Sequence, residues 1–201
     1  RRTSLQYSVL LVGGALTYRG QEAVNNVLDT AGTKRRLTGS YHEDGTGNES
    51  FPVTSWVADD PVPLDVDGWT LSVTGVVERP LELGYEEVSP ETSAEVLLDC
   101  TSGWYTVQYW AGVRVGDLLD DAAASDDARY VRFVSVTGYR WSLPLDEARD
   151  ALLATHVGGE SLSHGHGRPL RLVAPGRRGF QWVKWVHRVE VRRHGDPAQW
   201  L

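Results

Sequence analysis

The sequence holds a single cysteine, Cys100, and only two lysines, Lys34 and Lys184. One cysteine excludes a disulfide within the chain, and it excludes structural zinc sites that need two or four thiolates. There is no Gly-x-x-x-x-Gly-Lys-Ser/Thr loop, and no Gly-x-Gly-x-x-Gly follows a strand-like run, so the backbone cradles that hold nucleotide phosphates are missing. Positive charge is scarce, with 20 Lys and Arg against 27 Asp and Glu and a net charge of −7. So acidic a chain lacks the basic stripe that binds a nucleic-acid backbone, and nucleic acid is excluded as a partner. Low Lys with high Asp suits a high-salt environment, although a GC-rich genome makes the same trade of Lys for Arg. The apolar stretch from Leu5 to Tyr18 is short of the ~20 residues that span a bilayer. Behind Arg1-Arg2 it reads as a twin-arginine export signal, part of a membrane anchor, or a short packed helix.

What is present describes a globular chain. Its 201 residues suit one domain with an extra arm, and 41% hydrophobic against 23% charged residues argues against disorder. Residues 1–36 are helical in pieces and end in the basic Lys34-Arg35-Arg36; residues 37–50 are polar and Gly-rich, a loop or linker. Asn48-Glu49-Ser50 has the form of a glycosylation sequon. β-Branched alternation predicts strands over Thr70–Val77, Ser93–Cys100, Tyr130–Thr137 and Leu170–Val173. Val115, Leu118 and Leu119 lie at helical spacing within Val113–Ala124. The apolar run from Phe180 to Val191 predicts a strand that closes the sheet. Strands dominate and do not alternate with helices as regular βαβ units, so the expected class is α+β, mixed and mostly β.

Three groups of residues could carry chemistry. Cys100 stands at a predicted strand end: a soft thiolate ligand for a redox metal, a nucleophile, or an inert buried cysteine. From Ser163 to Trp185, His164, His166, Arg168, Arg171, Arg177, Arg178 and Lys184 crowd together, with Gly176 and Gly179 permitting close backbone approach. That set suits a phosphate-bearing cofactor, or is a solvated basic loop. Trp104 and Trp110 follow the cysteine and could wall a pocket; most of the eight tryptophans serve packing. Thr137-Gly138-Tyr139 is a turn that could present polar groups.

In this order the segments resemble the oxidoreductase molybdopterin-binding domain, the fold of sulfite oxidases, plant nitrate reductases and bacterial periplasmic protein-methionine-sulfoxide reductases. The resemblance runs from about Thr38 to Val191. It rests on "TGSYHEDGTGNESFPVTSWVADD", "VLLDCTSGWYTVQYWAGVRVGDLL", "FVSVTGYRWSLPLDEA" and "HGHGRPLRLVAPGRRGFQWVKWV". It implies a sulfite-oxidase-like molybdopterin-binding fold over residues 46–201, preceded by a helical arm and linker over residues 1–45. It also implies a molybdenum–molybdopterin cofactor with Cys100 as the metal ligand. Thr54, Ser55, Trp56, His166, Arg171, Gly179, Phe180, Gln181 and Lys184 match cofactor-binding positions, and Thr137 and Tyr139 match the metal pocket.

After Cys100 the chain departs from sulfite oxidases: Thr101-Ser102-Gly103-Trp104-Tyr105 is uncharged where they carry an arginine-containing stretch. The resemblance therefore implies two-electron oxygen-atom transfer with a sulfoxide or N-oxide, small or on a protein, as substrate. It implies electrons from a haem- or quinone-linked membrane subunit, and a site outside the cytoplasm or at a membrane. A sulfite oxidase-like enzyme, a non-catalytic binding module of the same fold and a cysteine hydrolase remain alternatives. The first would need Arg114 or Arg132 near Cys100.

Overall fold

The computed structural model describes residues 38–55, 59, 61–88 and 90–196. The helical reading of residues 1–36, and Trp56, lie outside the described residues. Contacts divide the chain between His42 and Glu43, and the fold described here is that of the second unit.

In chain order its strands are β1 (Thr70–Gly75), β2 (Leu81–Gly84), β3 (Thr92–Asp99), β4 (Trp104–Arg114), β5 (Tyr130–Ser135), β6 (Arg140–Pro144), β7 (Leu152–Val157), β8 (Glu160–Ser161), β9 (Arg171–Val173) and β10 (Val186–Arg192). Two short helices, α1 (Val115–Asp121) and α2 (Leu145–Asp150), complete it. This is the mixed, mostly β architecture that the sequence predicts. One sheet runs β3-β4-β7-β9 with β8 on β7, all antiparallel. The other runs β2-β1-β10-β5-β6, with β10 parallel to β1 and antiparallel to β5.

Period-two alternation sets the faces of each strand. In β1, Leu71 and Val73 are fully buried; in β10, Val189 and Val191 are buried against them and against β5. β4 was not legible as a strand, because its buried face carries Thr106 and Gln108 between Trp104 and Trp110, while Val107 and Tyr109 face out. Gln108 is nonetheless satisfied. Its Nε2 has Thr106 Oγ1 (2.8 Å), Gly45 O (3.0 Å) and Ser50 Oγ (3.0 Å) within reach of its two hydrogens, and its Oε1 accepts from Gly47 N (3.0 Å). A buried amide so paired ties the Gly-rich loop to the sheet. Asn48 fastens the far end of that loop, donating to Ser161 O (2.9 Å) and accepting from Ser163 N (2.7 Å). The sequon side chain is therefore engaged within the fold.

Two expectations need correction. The helix predicted over Val113–Ala124 begins at Val115, because Val113 and Arg114 pair with Leu153 and Leu152 as the end of β4. The terminal strand starts at Val186 instead of Phe180, and it lies inside its sheet, between β1 and β5. What precedes it is a 3-10 turn at Gly179–Gln181 and an extended stretch. The stretch ends at Trp185, which takes a left-handed φ of 51°. This connection leaves the first sheet after Val173 and joins the second at Val186. Leu172 N to Val183 O (2.8 Å) and Val186 N to Leu170 O (2.9 Å) tie its far end back to the Leu170–Leu172 segment.

Candidate active site

The connection between the sheets forms one wall of a cavity of about 300 Å³. β3 delivers Cys100 to it one residue past the strand end. Cys100 N donates to Trp104 O (2.8 Å) and Gly103 N to Cys100 O (3.3 Å), a tight turn for which Gly103 adopts a φ of 92°. Arg178 braces the same turn, its Nη2 donating to Cys100 O (3.2 Å) and lying 3.7 Å from Asp99. Gly179 then passes so close that a Cβ there would stand 3.2 Å from the Cys100 Cα.

Three basic side chains line the cavity: His166, Arg171 and Lys184. Arg171 is buried, its guanidinium 5.4 Å from the Trp110 ring and 5.7 Å from the Trp182 ring. Its Nη1 donates to His166 O (3.0 Å), while its Nε has no partner. Burial lowers its pKa to about 10, offset in part by Cys100, so it stays charged at neutral pH. His166 packs on Phe51 at 4.2 Å, and its Nδ1 meets Ser163 Oγ at 2.8 Å. Its buried Nε2 has no bonded partner. Burial first, then Arg171 and Lys184, push it down to about 4, so the ring is neutral at pH 7.

Lys184 falls to about 7, from burial and then the Arg171 charge, with Cys100 and Asp59 acting the other way. Its Nζ donates to Gly165 O (2.6 Å), Thr54 O (2.7 Å) and Ser55 Oγ (3.2 Å). In the protonated form all three hydrogens are engaged, so Lys184 holds backbone in place.

Of the residues singled out from sequence, Thr54, Ser55, Cys100, Tyr139, His166, Arg171, Gly179, Phe180 and Lys184 line this one cavity. Gln181 and Thr137 do not. Gln181 folds back to accept from Arg178 N (3.0 Å), and Thr137 Oγ1 closes on Ser135 Oγ (3.0 Å). Tyr139, two residues on, reaches across to donate to Phe180 O. The other cations of the basic stretch point elsewhere: Arg177 pairs with Glu147, Arg178 with Asp99, and His164 Nε2 meets Pro61 O at 2.7 Å. Arg114 pairs with Asp150, and Arg132 with Glu190 and Asp196; neither lines the cavity. Sequence reasoning did not single out Asp59, Phe51, Trp182 or Trp185, all of which do. Asp59 stands beside Asp60 in the sequence, and no pattern separates the two.

The family model of the oxidoreductase molybdopterin-binding domain matches residues 59–200. The chain belongs to this family. Across 195 residues it is 32% identical to the protein-methionine-sulfoxide reductase catalytic subunit MsrP of Gluconobacter oxydans, covering 82% of this chain and 61% of that protein. It is 33% identical over 156 residues to the uncharacterized oxidoreductase YuiH of Bacillus subtilis, covering 75% of this chain and 78% of that one. The crystal structure of the sulfane dehydrogenase SoxCD from Paracoccus pantotrophus superposes with a TM-score of 0.64 at 25% identity, over 69% of this chain and 41% of that one. The chain thus spans less than two thirds of the MsrP relative and of the solved structure.

The cavity fits the family's cofactor. Among the described residues no three His, Cys, Asp or Glu side chains group as a metal site, so a metal held by Cys100 must bring its other ligands with it. A metal carried by an organic dithiolene does so. The opposite requirement, polar groups for a phosphate-bearing pterin, is met by unpartnered buried atoms, His166 Nε2 and Arg171 Nε, and by the positive charge of Arg171 and Lys184.

Proposed function

We propose that this chain is the catalytic domain of a molybdenum–molybdopterin oxidoreductase that reduces sulfoxides. The observation that carries this reading is a lone cysteine, Cys100, in the same cavity as buried basic groups with unpartnered polar atoms. Cys100 would ligate molybdenum. Arg171 and His166 would hydrogen-bond the pterin and its phosphate, and Lys184 would balance phosphate charge while fixing the Thr54–Ser55 backbone. Gly179 leaves room for the Asp99–Cys100 backbone to approach. Thr137, Gln181 and Trp56 remain sites to test by substitution.

The bound group supplies two-electron redox chemistry. The balanced reaction takes a sulfoxide, two electrons and two protons to a thioether and water. The chain's own part is to orient the S–O group and restrict water. Trp104 and Phe180 give apolar walls, and Tyr139, with its hydroxyl committed to Phe180 O, fixes the Phe180 turn. Burial, then Asp59, raises the Tyr139 pKa, which keeps that hydroxyl protonated. An N-oxide offers the same neutral, polar group. Sulfite, an anion, is disfavoured because Arg114 and Arg132 are engaged away from the cavity.

Electrons would come from a haem- or quinone-linked membrane subunit, in an extracytoplasmic setting, with residues 1–45 as the arm that exports or tethers the domain. Among the described residues no helix is long and apolar enough to cross a membrane.

The test is elemental analysis of protein made in a host that synthesises the cofactor, beside Cys100→Ala, with dimethyl sulfoxide turnover driven by a reduced viologen dye. Near-stoichiometric molybdenum and turnover in the wild type, with activity lost in the variant, support the proposal. Folded wild type without molybdenum or pterin overturns it in favour of a binding module; loaded protein that oxidises sulfite and leaves sulfoxide untouched overturns the direction.

A further inference from the structure

Asp59 is a half-buried carboxylate on the wall of the cavity that contains Cys100, Tyr139 and Phe180. It makes no hydrogen bond or ion pair with any other described residue. Its field still reaches across the cavity, raising Tyr139 and supporting the charge of Lys184. The basic groups that share the cavity are committed. Lys184 has given its hydrogens to Thr54, Ser55 and Gly165, and Arg171 lies against two indoles with Nη1 on His166 O. In the reading above, these same cations answer the cofactor's phosphate. The residues that follow Cys100 on the wall, Thr101 and Ser102, are uncharged. Among the described residues, the charge left to greet a substrate is therefore the Asp59 carboxylate.

We propose that Asp59 sets the charge selectivity of the substrate entrance, favouring sulfoxides that carry a positive charge next to the reacting group and disfavouring anionic ones. This rests on the sulfoxide-reductase reading and extends it to a substrate class, with methionine sulfoxide flanked by a basic residue in a peptide as the favoured form. A carboxylate aligned with a passing cation at several ångströms, in a partly solvated mouth, is worth about threefold to tenfold between oppositely charged substrates, and salt screens it. An Asp that merely supports the fold would change all substrates alike.

The probes are blocked dipeptides in which methionine sulfoxide is followed by lysine, glutamine or glutamate. Two readouts are taken on holoenzyme: kcat/KM with a reduced viologen dye, and affinity for the corresponding thioether peptides from quenching of the cavity tryptophans Trp104, Trp182 and Trp185. Wild type should rank lysine over glutamine over glutamate, with the spread shrinking at high ionic strength. Asp59→Asn should bring the three within about twofold, and Asp59→Glu should keep the order. Equal values across the three peptides in wild type overturn the proposal, as does an Asp59→Asn protein that keeps the wild-type ranking. If loaded wild type reduces none of the peptides, the sulfoxide-reductase reading fails. The binding ranking of the thioether peptides then decides the role of Asp59 by itself.

Discussion

Lys184 Nζ donates to the carbonyl of Thr54 at 2.7 Å, across 130 residues of sequence. The second and third hydrogens go to Gly165 O and Ser55 Oγ, so one side chain joins the leading segment, the His164–His166 turn and the stretch before β10. The cavity wall at 51–55 depends on that junction.

Replacing Lys184 by Met leaves the Thr54 and Gly165 carbonyls without their donor, at a local cost of about 1–3 kcal/mol. The expected outcome is faster amide hydrogen exchange over residues 51–55 and about tenfold weaker cofactor loading, the range typical of residues that support a metal site's ligands. Unchanged exchange together with full molybdenum content would contradict the clamp.

Cys100 permits a labelling experiment without background, since it is the only cysteine. Cofactor-free protein should react with a small alkylator, slowly because the residue is only 6% exposed. Loaded protein should be protected. Cys100→Ala should cost about 1 kcal/mol of stability and all activity. Equal labelling of loaded and cofactor-free protein would rule out the sulfur as a metal ligand.

Much of this was legible in the sequence because the residues concerned obey local rules. Cys100 ends an alternating run that is a strand in the structure, and the basic stretch from His166 to Lys184 stands out in an acidic chain. What was hidden depends on pairings between distant segments. β4 concealed itself because its buried face holds Gln108, a residue that is stable there only through partners more than fifty residues away. Thr137 and Tyr139 share a turn, yet one hydroxyl turns inward on Ser135 and the other crosses to Phe180, which sequence spacing does not encode. The cations of the basic stretch divide likewise: Glu147 takes Arg177 away from the cavity, and the Trp110–Trp182 pair keeps Arg171 in it.

The pH dependence follows from the depressed pKa values. His166 titrates near 6.5 when unfolded and near 4 when folded. Between these values the unfolded chain binds more protons, so the stability that the neutral ring contributes is lost as pH falls from 6.5 towards 4. Lys184 moves from 10.5 to about 7, so its charging penalty on the cofactor-free protein is relieved as pH rises from 7 to 10.5. The melting temperature of cofactor-free wild type should therefore climb from pH 7 to pH 9 relative to Lys184→Met. An anion bound beside Lys184 restores its charge, so binding at pH 8 should take up protons, detectable by calorimetry in two buffers of different ionisation enthalpy.

Gly112 provides a control away from the cavity. It lies at the register shift between β4 and β7, where a Cβ would come within 2.0 Å of Leu153 O. Gly112→Ala must spread the two strands, at a cost of about 3 kcal/mol. A melting temperature within a degree of wild type would show that the strands do not approach so closely.

The cavity draws Cys100 from the end of one sheet and Tyr139 from a turn of the other, with the 174–185 connection running between them. No single hairpin contains it. Its shape exists only when both sheets are complete and docked, a late event in a fold dominated by distant pairings. Under the proposed function, cofactor capture would then be a checkpoint on assembly: a chain able to load a metal there would, by that act, report that it finished folding.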